Sequence, residues 1–272
     1  MIGKILGSML FGLQVFAAQE TFFQAVSKQE IIKHGKRAYE NRCSGCHGLK
    51  GNGLGPAAPF LDPKPRDFTK GMYKFRSTPI GSLPTDKDLM RVLSNGVKGT
   101  SMPNFATLPE QTRFSIVQYI KTFFPGWKEK KKESEPIVTG APFPVADFKS
   151  HAPFMARAKK GRELFGEACM VCHGATGLGN GSGAEDLEDD WGFPIKPANL
   201  TKRTIKRGKS VRDIYATLIS GLEGTPMVSF KETYTDEQLW DISAYVLYLR
   251  GIGAGTYDKN NPPLPVLKEE EE

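Results

Sequence analysis

The apolar positions of this chain come in short blocks broken by glycine, proline and charge, and no block sustains the strict alternation of a strand. Five residue pairs mark where helices begin. In Ser27 with Glu30, Thr85 with Asp88, Thr107 with Glu110, Ser210 with Asp213 and Thr235 with Gln238, a hydroxyl stands three residues ahead of an acidic or amide side chain. At that spacing the two residues satisfy backbone N–H groups that the first helical turn leaves without partners. Gly96, Gly221 and Gly251 stand where helices stop, because glycine accepts the left-handed conformation of a helix end. One block differs. After the single cation Lys4, the run Ile5 to Ala18 is apolar and ends in small residues, which predicts a secretory signal peptide over residues 1–18, cleaved near Ala17 or Ala18. The run contains Gln14 and falls short of the roughly 20 residues that a bilayer core requires.

Laid on itself at an offset of about 126 residues, the chain reads twice. Gly35 and Tyr39 match Gly161 and Phe165, and Cys43-Ser44-Gly45-Cys46-His47-Gly48 matches Cys169-Met170-Val171-Cys172-His173-Gly174. Lys64-Pro65-Arg66-Asp67-Phe68-Thr69 is similar to Lys196-Pro197-Ala198-Asn199-Leu200-Thr201, and Gly99-Thr100-Ser101-Met102 to Gly224-Thr225-Pro226-Met227. Each half reads as an opening helix running into the cysteine motif, a glycine- and proline-rich loop, a short helix, a methionine loop and a closing helix. The expectation is an all-α chain of two tandem domains, residues 27–124 and 154–250, a division that suits 272 residues. Residues 125–153, with the charged run Lys128 to Glu135 and the prolines Pro136, Pro142 and Pro144, read as an exposed linker. Residues 251–272, with Pro262, Pro263, Pro265 and four closing glutamates, read as a mobile tail.

All four cysteines fall inside the two Cys-x-x-Cys-His segments. Two thiols at that spacing can each add to a vinyl group of haem, and the histidine that follows can reach the iron. The rival readings are a dithiol redox pair, one zinc shared by both segments, or structural disulfides. A redox pair leaves the twice-repeated histidine unexplained, so the motif favours two covalently attached haem c groups through Cys43, Cys46, Cys169 and Cys172, with His47 and His173 on the irons. Of eight methionines only Met102 and Met227 recur in register, each followed by a phenylalanine, Phe105 or Phe230. They are the candidates for the second axial position, against a role as ordinary core residues. His34 and His151 have no counterparts and read as ordinary histidines.

Charge separates the halves. Residues 19–130 carry 18 Lys or Arg against 9 Asp or Glu, whereas residues 151–250 carry 13 of each. A basic first half would steer acidic protein partners toward it, with Lys50, Lys64, Lys70, Lys74 and Lys98 as docking candidates. Nothing points to nucleic acid.

On these motifs both halves resemble class I cytochrome c domains, and the whole resembles a dihaem, two-domain periplasmic cytochrome c. The resemblance implies an all-α wrap around each haem, with opening and closing helices crossing at a glycine and an aromatic, here Gly35 with Tyr119 and Gly161 with Tyr245. It also implies a proline carbonyl some twelve residues past the histidine as acceptor for the histidine's other nitrogen. Pro59 fits that pattern. The second half departs from it, with Glu185 at the matching place and no proline before Pro194, which would leave His173 differently held. Arg66 and Asn199 are candidates to hydrogen-bond haem propionates, or else to cap turns. The function so implied is electron transfer between a respiratory donor and a terminal acceptor, by an exported protein that is not itself an enzyme. The alternatives are a dihaem peroxidase or sulfur-oxidising enzyme, or a fixed haem subunit of a larger complex peripheral to a membrane.

Overall fold

The structure, a computed structural model, describes residues 26–129, 136–137, 143–202, 205–208, 210–251 and 264. The signal segment and most of the tail lie outside the described residues. Eight α-helices are present among them: α1 (Lys28–Arg42), α2 (Ser44–His47), α3 (Asp86–Asn95), α4 (Glu110–Ile120), α5 (His151–Ala168), α6 (Met170–His173), α7 (Val211–Ser220) and α8 (Asp236–Leu249). No strand forms among the described residues, and the only pairing is an isolated bridge between Glu188 and Pro194. No helix among them is long and apolar enough to cross a membrane.

Four of the five predicted capping boxes form, at α1, α3, α7 and α8, each with reciprocal side-chain and backbone bonds. The exception is Thr107 with Glu110. There α4 starts directly after Pro109, which is the N-cap, so Glu110 stands at the first helical position and cannot reach back as a third-position residue would. Gly96 and Gly221 end α3 and α7 at φ of 64° and 63°.

The two domains repeat one helix crossing. α1 packs across α4, and α5 across α8. At the contact, Gly35 faces the backbone carbonyl of Ser115 and Gly161 that of Asp241, so closely that any β-carbon would overlap it. The expected aromatic partner sits one turn further on. Tyr119 meets Tyr39 edge-on with ring centroids 5.4 Å apart, and Tyr245 meets Phe165 at 5.2 Å.

The segment between the domains, exposed at Lys128, Glu129, Val145 and Lys149, is nonetheless anchored at several described points. Pro125–Trp127 forms a 3₁₀ turn that brings Trp127 against Tyr73 of the first domain, with Lys121 over its ring. Ile137 N–H donates to the Ser77 carbonyl, while its side chain packs against the second core. Phe143 and Phe148 lie on Trp240, and Asp147 pairs with Arg157. Apolar side chains at these positions have a core to cover, and the second domain's opening helix begins at His151, ahead of the expected boundary. Leu264 in the tail is also held, its N–H donating to the Tyr248 hydroxyl.

The domains are bolted together by buried arginines. Arg76, fully buried, donates to the carbonyls of Pro79 and Tyr73 in its own domain and of Ser220 in the other, and faces Glu223 at 3.4 Å. Arg207 answers from the second domain with a bond to the Arg76 carbonyl. Arg91 on α3 faces Asp213 on α7 at 3.6 Å.

Candidate metal centres

Each cysteine motif is built at a helix break. Cys43 N–H still bonds back to Tyr39 as the last residue of α1, and the chain then turns at Cys43 into the one-turn helix α2. α6 repeats this from Cys169. The turn places both thiols and the histidine of a motif within a single helical turn, and Gly48 and Gly174, at φ of 75° and 74°, end it. The loops that follow fold identically. Gly53 and Gly55 N–H bond to the His47 and Cys46 carbonyls, as Gly179 and Gly181 do to His173 and Cys172.

The two histidines are held alike. His47 Nδ1 donates to the Arg66 carbonyl at 3.0 Å and His173 Nδ1 to the Ala198 carbonyl at 3.0 Å. A carbonyl only accepts, so the proton sits on Nδ1 and the Nε2 lone pair of each ring is free for a metal. Burial lowers both imidazole pKa values against the smaller, opposite pull of these hydrogen bonds, which favours the neutral ring that ligation needs. The rings differ in what they lean on: His47 stacks on Phe68 at 4.6 Å, while Leu200 holds the equivalent position in the second domain.

The methionine loops are superimposable in their bonding. Val97 N–H donates to the Met102 carbonyl and Leu222 N–H to that of Met227. Thr100 and Thr225 turn their hydroxyls to the Val97 and Leu222 carbonyls and accept from the N–H of Met102 and Met227. This is why the loop reads Gly-Thr-x-Met twice. Met102 packs against the cluster containing Cys43 and Phe68, and Met227 against that containing Cys169 and Leu200. Each core therefore brings together a thiol pair, a neutral imidazole and a thioether, the donor set that suits a haem iron.

The rival chemistries fit less well. No cysteine is in a disulfide. Burial pushes the Cys43 thiol up to about 11 and the Cys169 thiol up to about 12, opposite to the depressed pKa of a reactive dithiol. Among the described residues no group of three or more His, Cys, Asp or Glu could hold a metal ion.

The profile of the cytochrome c family matches residues 32–123 and 158–250, one stretch per repeat. The chain belongs to the cytochrome c family. Two such domains carry two covalently bound haem c groups with their irons. Among solved structures this cytochrome is similar to a chain of the Kuenenia stuttgartiensis reducing HAO-like protein complex Kustc0457/Kustc0458, with 39% identity and a TM-score of 0.72. The match covers 79% of this chain and 95% of that one. No curated protein matches it.

Two expectations about the cytochrome's ligand surroundings need correction, and a third is decided between its alternatives. The Pro59 carbonyl accepts from Lys64 Nζ and not from His47, whose acceptor lies seven residues further on at Arg66. The supposed difference at Glu185 therefore disappears, because Ala198 serves His173 from the matching place. Of the two roles open to Asn199, which pairs with Asp67 in the repeat, the turn cap is the one seen. Its side-chain oxygen caps a turn by accepting from Thr201 N–H and hydroxyl, as Asp67 does for Thr69. Arg66 turns its guanidinium onto Trp191 of the other domain, 4.3 Å from the ring centroid.

The remaining sequence candidates are dispersed. His34 is exposed, in hydrogen-bonding contact with Thr112, and His151 opens α5. Lys50, Lys70 and Lys98 are exposed. Lys64 is tied to the Ala58 and Pro59 carbonyls, and Lys74 is half-buried, its ammonium driven down to about 8 by burial and then by Arg66 and Lys206. The histidine acceptors were missed because a backbone carbonyl leaves no mark in the sequence, although the paired Lys-Pro-x segments pointed at them. Trp191 and Arg76 lack counterparts in the other half and so left no repeat signal.

Proposed function

We propose that this dihaem cytochrome c transfers electrons, with its two irons acting in series within one chain. The observation that carries the reading is the doubled ligand set: two imidazoles with Nδ1 donated to a carbonyl at 3.0 Å, each sharing a core with a methionine in an identically bonded loop. In this reading Cys43, Cys46, Cys169 and Cys172 add their thiols across the haem vinyl groups. His47 with Met102, and His173 with Met227, are the residues that would ligate the irons. The haem supplies one-electron chemistry. The chain's own work is to hold each imidazole neutral and oriented, to supply a thioether sulfur from the methionine loop, and to keep water from the irons. Sulfur on both irons favours the ferrous forms and makes the protein a conductor and not a peroxidase.

The exported location implied by residues 1–18 is part of the same proposal. So is docking of an acidic partner on the first domain through Lys50, Lys70 and Lys98, which are free to meet one. A second reading, a fixed haem subunit, is favoured by the 39% identity to a chain of a two-protein complex.

The test is spectroscopic and kinetic. The oxidised, haem-loaded protein should be low-spin at both irons with the sulfur-to-iron charge-transfer band doubled relative to a single-haem cytochrome. It should also exchange electrons rapidly with small redox proteins, at rates that fall with salt. A high-spin iron together with peroxide turnover would overturn the carrier reading. Co-purification with one oxidoreductase in fixed ratio would select the subunit form of it.

A further inference from the structure

The second domain's haem loop is six residues longer than the first between the histidine and the matching threonine, His173 to Thr201 against His47 to Thr69. The extra length forms a small hairpin. Glu188 bridges Pro194, Asp189 N–H donates to the Phe193 carbonyl, and the Asp189 carboxylate accepts from the N–H of Trp191 and Phe193. Trp191 stands near its tip.

Trp191 touches both ligand systems. Its ring receives the Arg66 guanidinium, and Arg66 is the residue whose carbonyl orients His47. The ring also presses on Gly224, where a β-carbon would strike its Cζ3 and Cη2 atoms and come close to the Arg66 guanidinium itself, and the neighbouring Asp190 N–H donates to the Gly224 carbonyl. Gly224 opens the loop that ends in Met227. The link has no mirror image. The residue matching Arg66 is Ala198, and Gly99, which matches Gly224, has open space around its β-carbon position.

We infer that Arg66 and Trp191 are positioning residues that couple the two centres in one direction of the fold, bracing the loop that orients His47 against the loop that presents Met227. The coupling rests on the ligand assignment proposed above. A guanidinium over indole is worth more in a part-buried junction than at an open surface, and here the stacked pair adds a side-chain contact between two loops that are otherwise tied down within their own domains. Freed of Trp191, Arg66 would let its carbonyl drift from His47. Freed of Arg66, the indole would lean less firmly on Gly224.

The experiment uses the full-length, haem-loaded, reduced protein and reads solvent exchange of the two histidine Nδ1 protons by NMR, with His173 as internal control. Trp191→Leu should speed exchange at His47 about tenfold, the ratio that ~1.4 kcal/mol of lost contact corresponds to, and leave His173 unchanged. Trp191→Phe, which keeps a ring for the guanidinium, should restore most of the protection. Arg66→Gln should shift the Met227 methyl resonance and spare the wild-type value for His173. Unchanged exchange at His47 in Trp191→Leu, or equal acceleration at both histidines, would overturn the coupling. If the unsubstituted protein shows no iron-bound methionine signal, the ligand assignment itself fails, and that result is read before any variant is made.

Discussion

Among the described residues the first domain gathers eight buried apolar side chains into its core and the second seventeen, although both wrap their motif in the same helices. The surplus comes from α7 and α8, whose inward faces run from Val211 to Ile219 and from Leu239 to Leu247, and from the strap of Phe143 and Phe148 laid over Trp240. The first domain answers with a linked aromatic cluster, Tyr39, Phe68, Tyr73, Tyr119 and Phe123, of which Phe68 stacks on its histidine. Small domains below the size of a self-sufficient core need a staple or an apolar cofactor to fold. The difference teaches that the haem is a larger fraction of the first domain's interior than of the second's.

Removing the attachment points gives the sharpest break. Cys43→Ala with Cys46→Ala should cost the first domain its fold, read as loss of a protease-resistant fragment spanning residues 27–124 and of the matching share of helical circular dichroism. Cys169→Ala with Cys172→Ala should leave a helical, protease-resistant second domain with a lowered melting temperature. Equal losses in the two variants would show that core size does not set cofactor dependence here.

Next in size is a contact that only the second domain owns. Arg157, 10% exposed at its side chain, bonds Asp241 at 2.6 Å, Asp147 at 2.7 Å and Glu237 at 2.7 Å. Asp241 is 4% exposed, whereas Glu237 lies open to solvent and contributes little. Arg157→Ala would strand a buried carboxylate, at a cost of about 3–5 kcal/mol. The first domain carries Ser115 where the second has Asp241, so Arg157→Leu combined with Asp241→Ser should recover most of that loss in chemical denaturation. Failure of the double variant to recover would mean that Arg157 stabilises through packing and not through its partner.

Much of this was legible beforehand. The repeat, the helix order and the four capping boxes follow from short patterns whose physics is local, and local physics survives folding. The rest depended on groups or distances that sequence does not carry. Histidine orientation falls to the carbonyls of Arg66 and Ala198, and every residue has a carbonyl. The linker was misread because proline and charge dominate its composition, while Phe143 and Phe148, which decide where it lies, are too few to form a periodic pattern. Thr107 failed as a cap for a reason two residues away, in Pro109. Arg76 carries no motif that would mark it in the sequence, because its burial is made by the opposite domain.

Arg76 offers a way to separate the two halves. Replacing it by leucine leaves the Tyr73, Pro79 and Ser220 carbonyls and the Glu223 carboxylate without their buried donor, a penalty of about 3 kcal/mol before water enters the junction. Calorimetry should then resolve two unfolding transitions, the first domain melting earlier, and scattering should report a larger radius of gyration. A single unchanged transition would mean that Arg91 with Asp213 and Arg66 with Trp191 suffice to hold the domains as one cooperative unit.

The smallest expected effect compares one device in two settings. Thr85 caps α3 and Ser210 caps α7, each in a box with the aspartate three residues on. Asp88 is 5% exposed, and its Oδ2 accepts from Ser77 N–H and hydroxyl as well as from Thr85 N–H and hydroxyl, which ties the cap to the loop ahead of it. Asp213 serves Ser210 and faces Arg91, and its bonds with Ser210 are open to solvent. Water can replace a lost partner at Ser210 but reaches Thr85 poorly. Ser210→Ala should therefore cost about 1 kcal/mol and Thr85→Ala about 2 kcal/mol, the middle and the top of the range for cap removal. Denaturant titrations followed at the circular dichroism of each variant decide it. Equal costs would mean that burial of the cap adds nothing to the bond it makes.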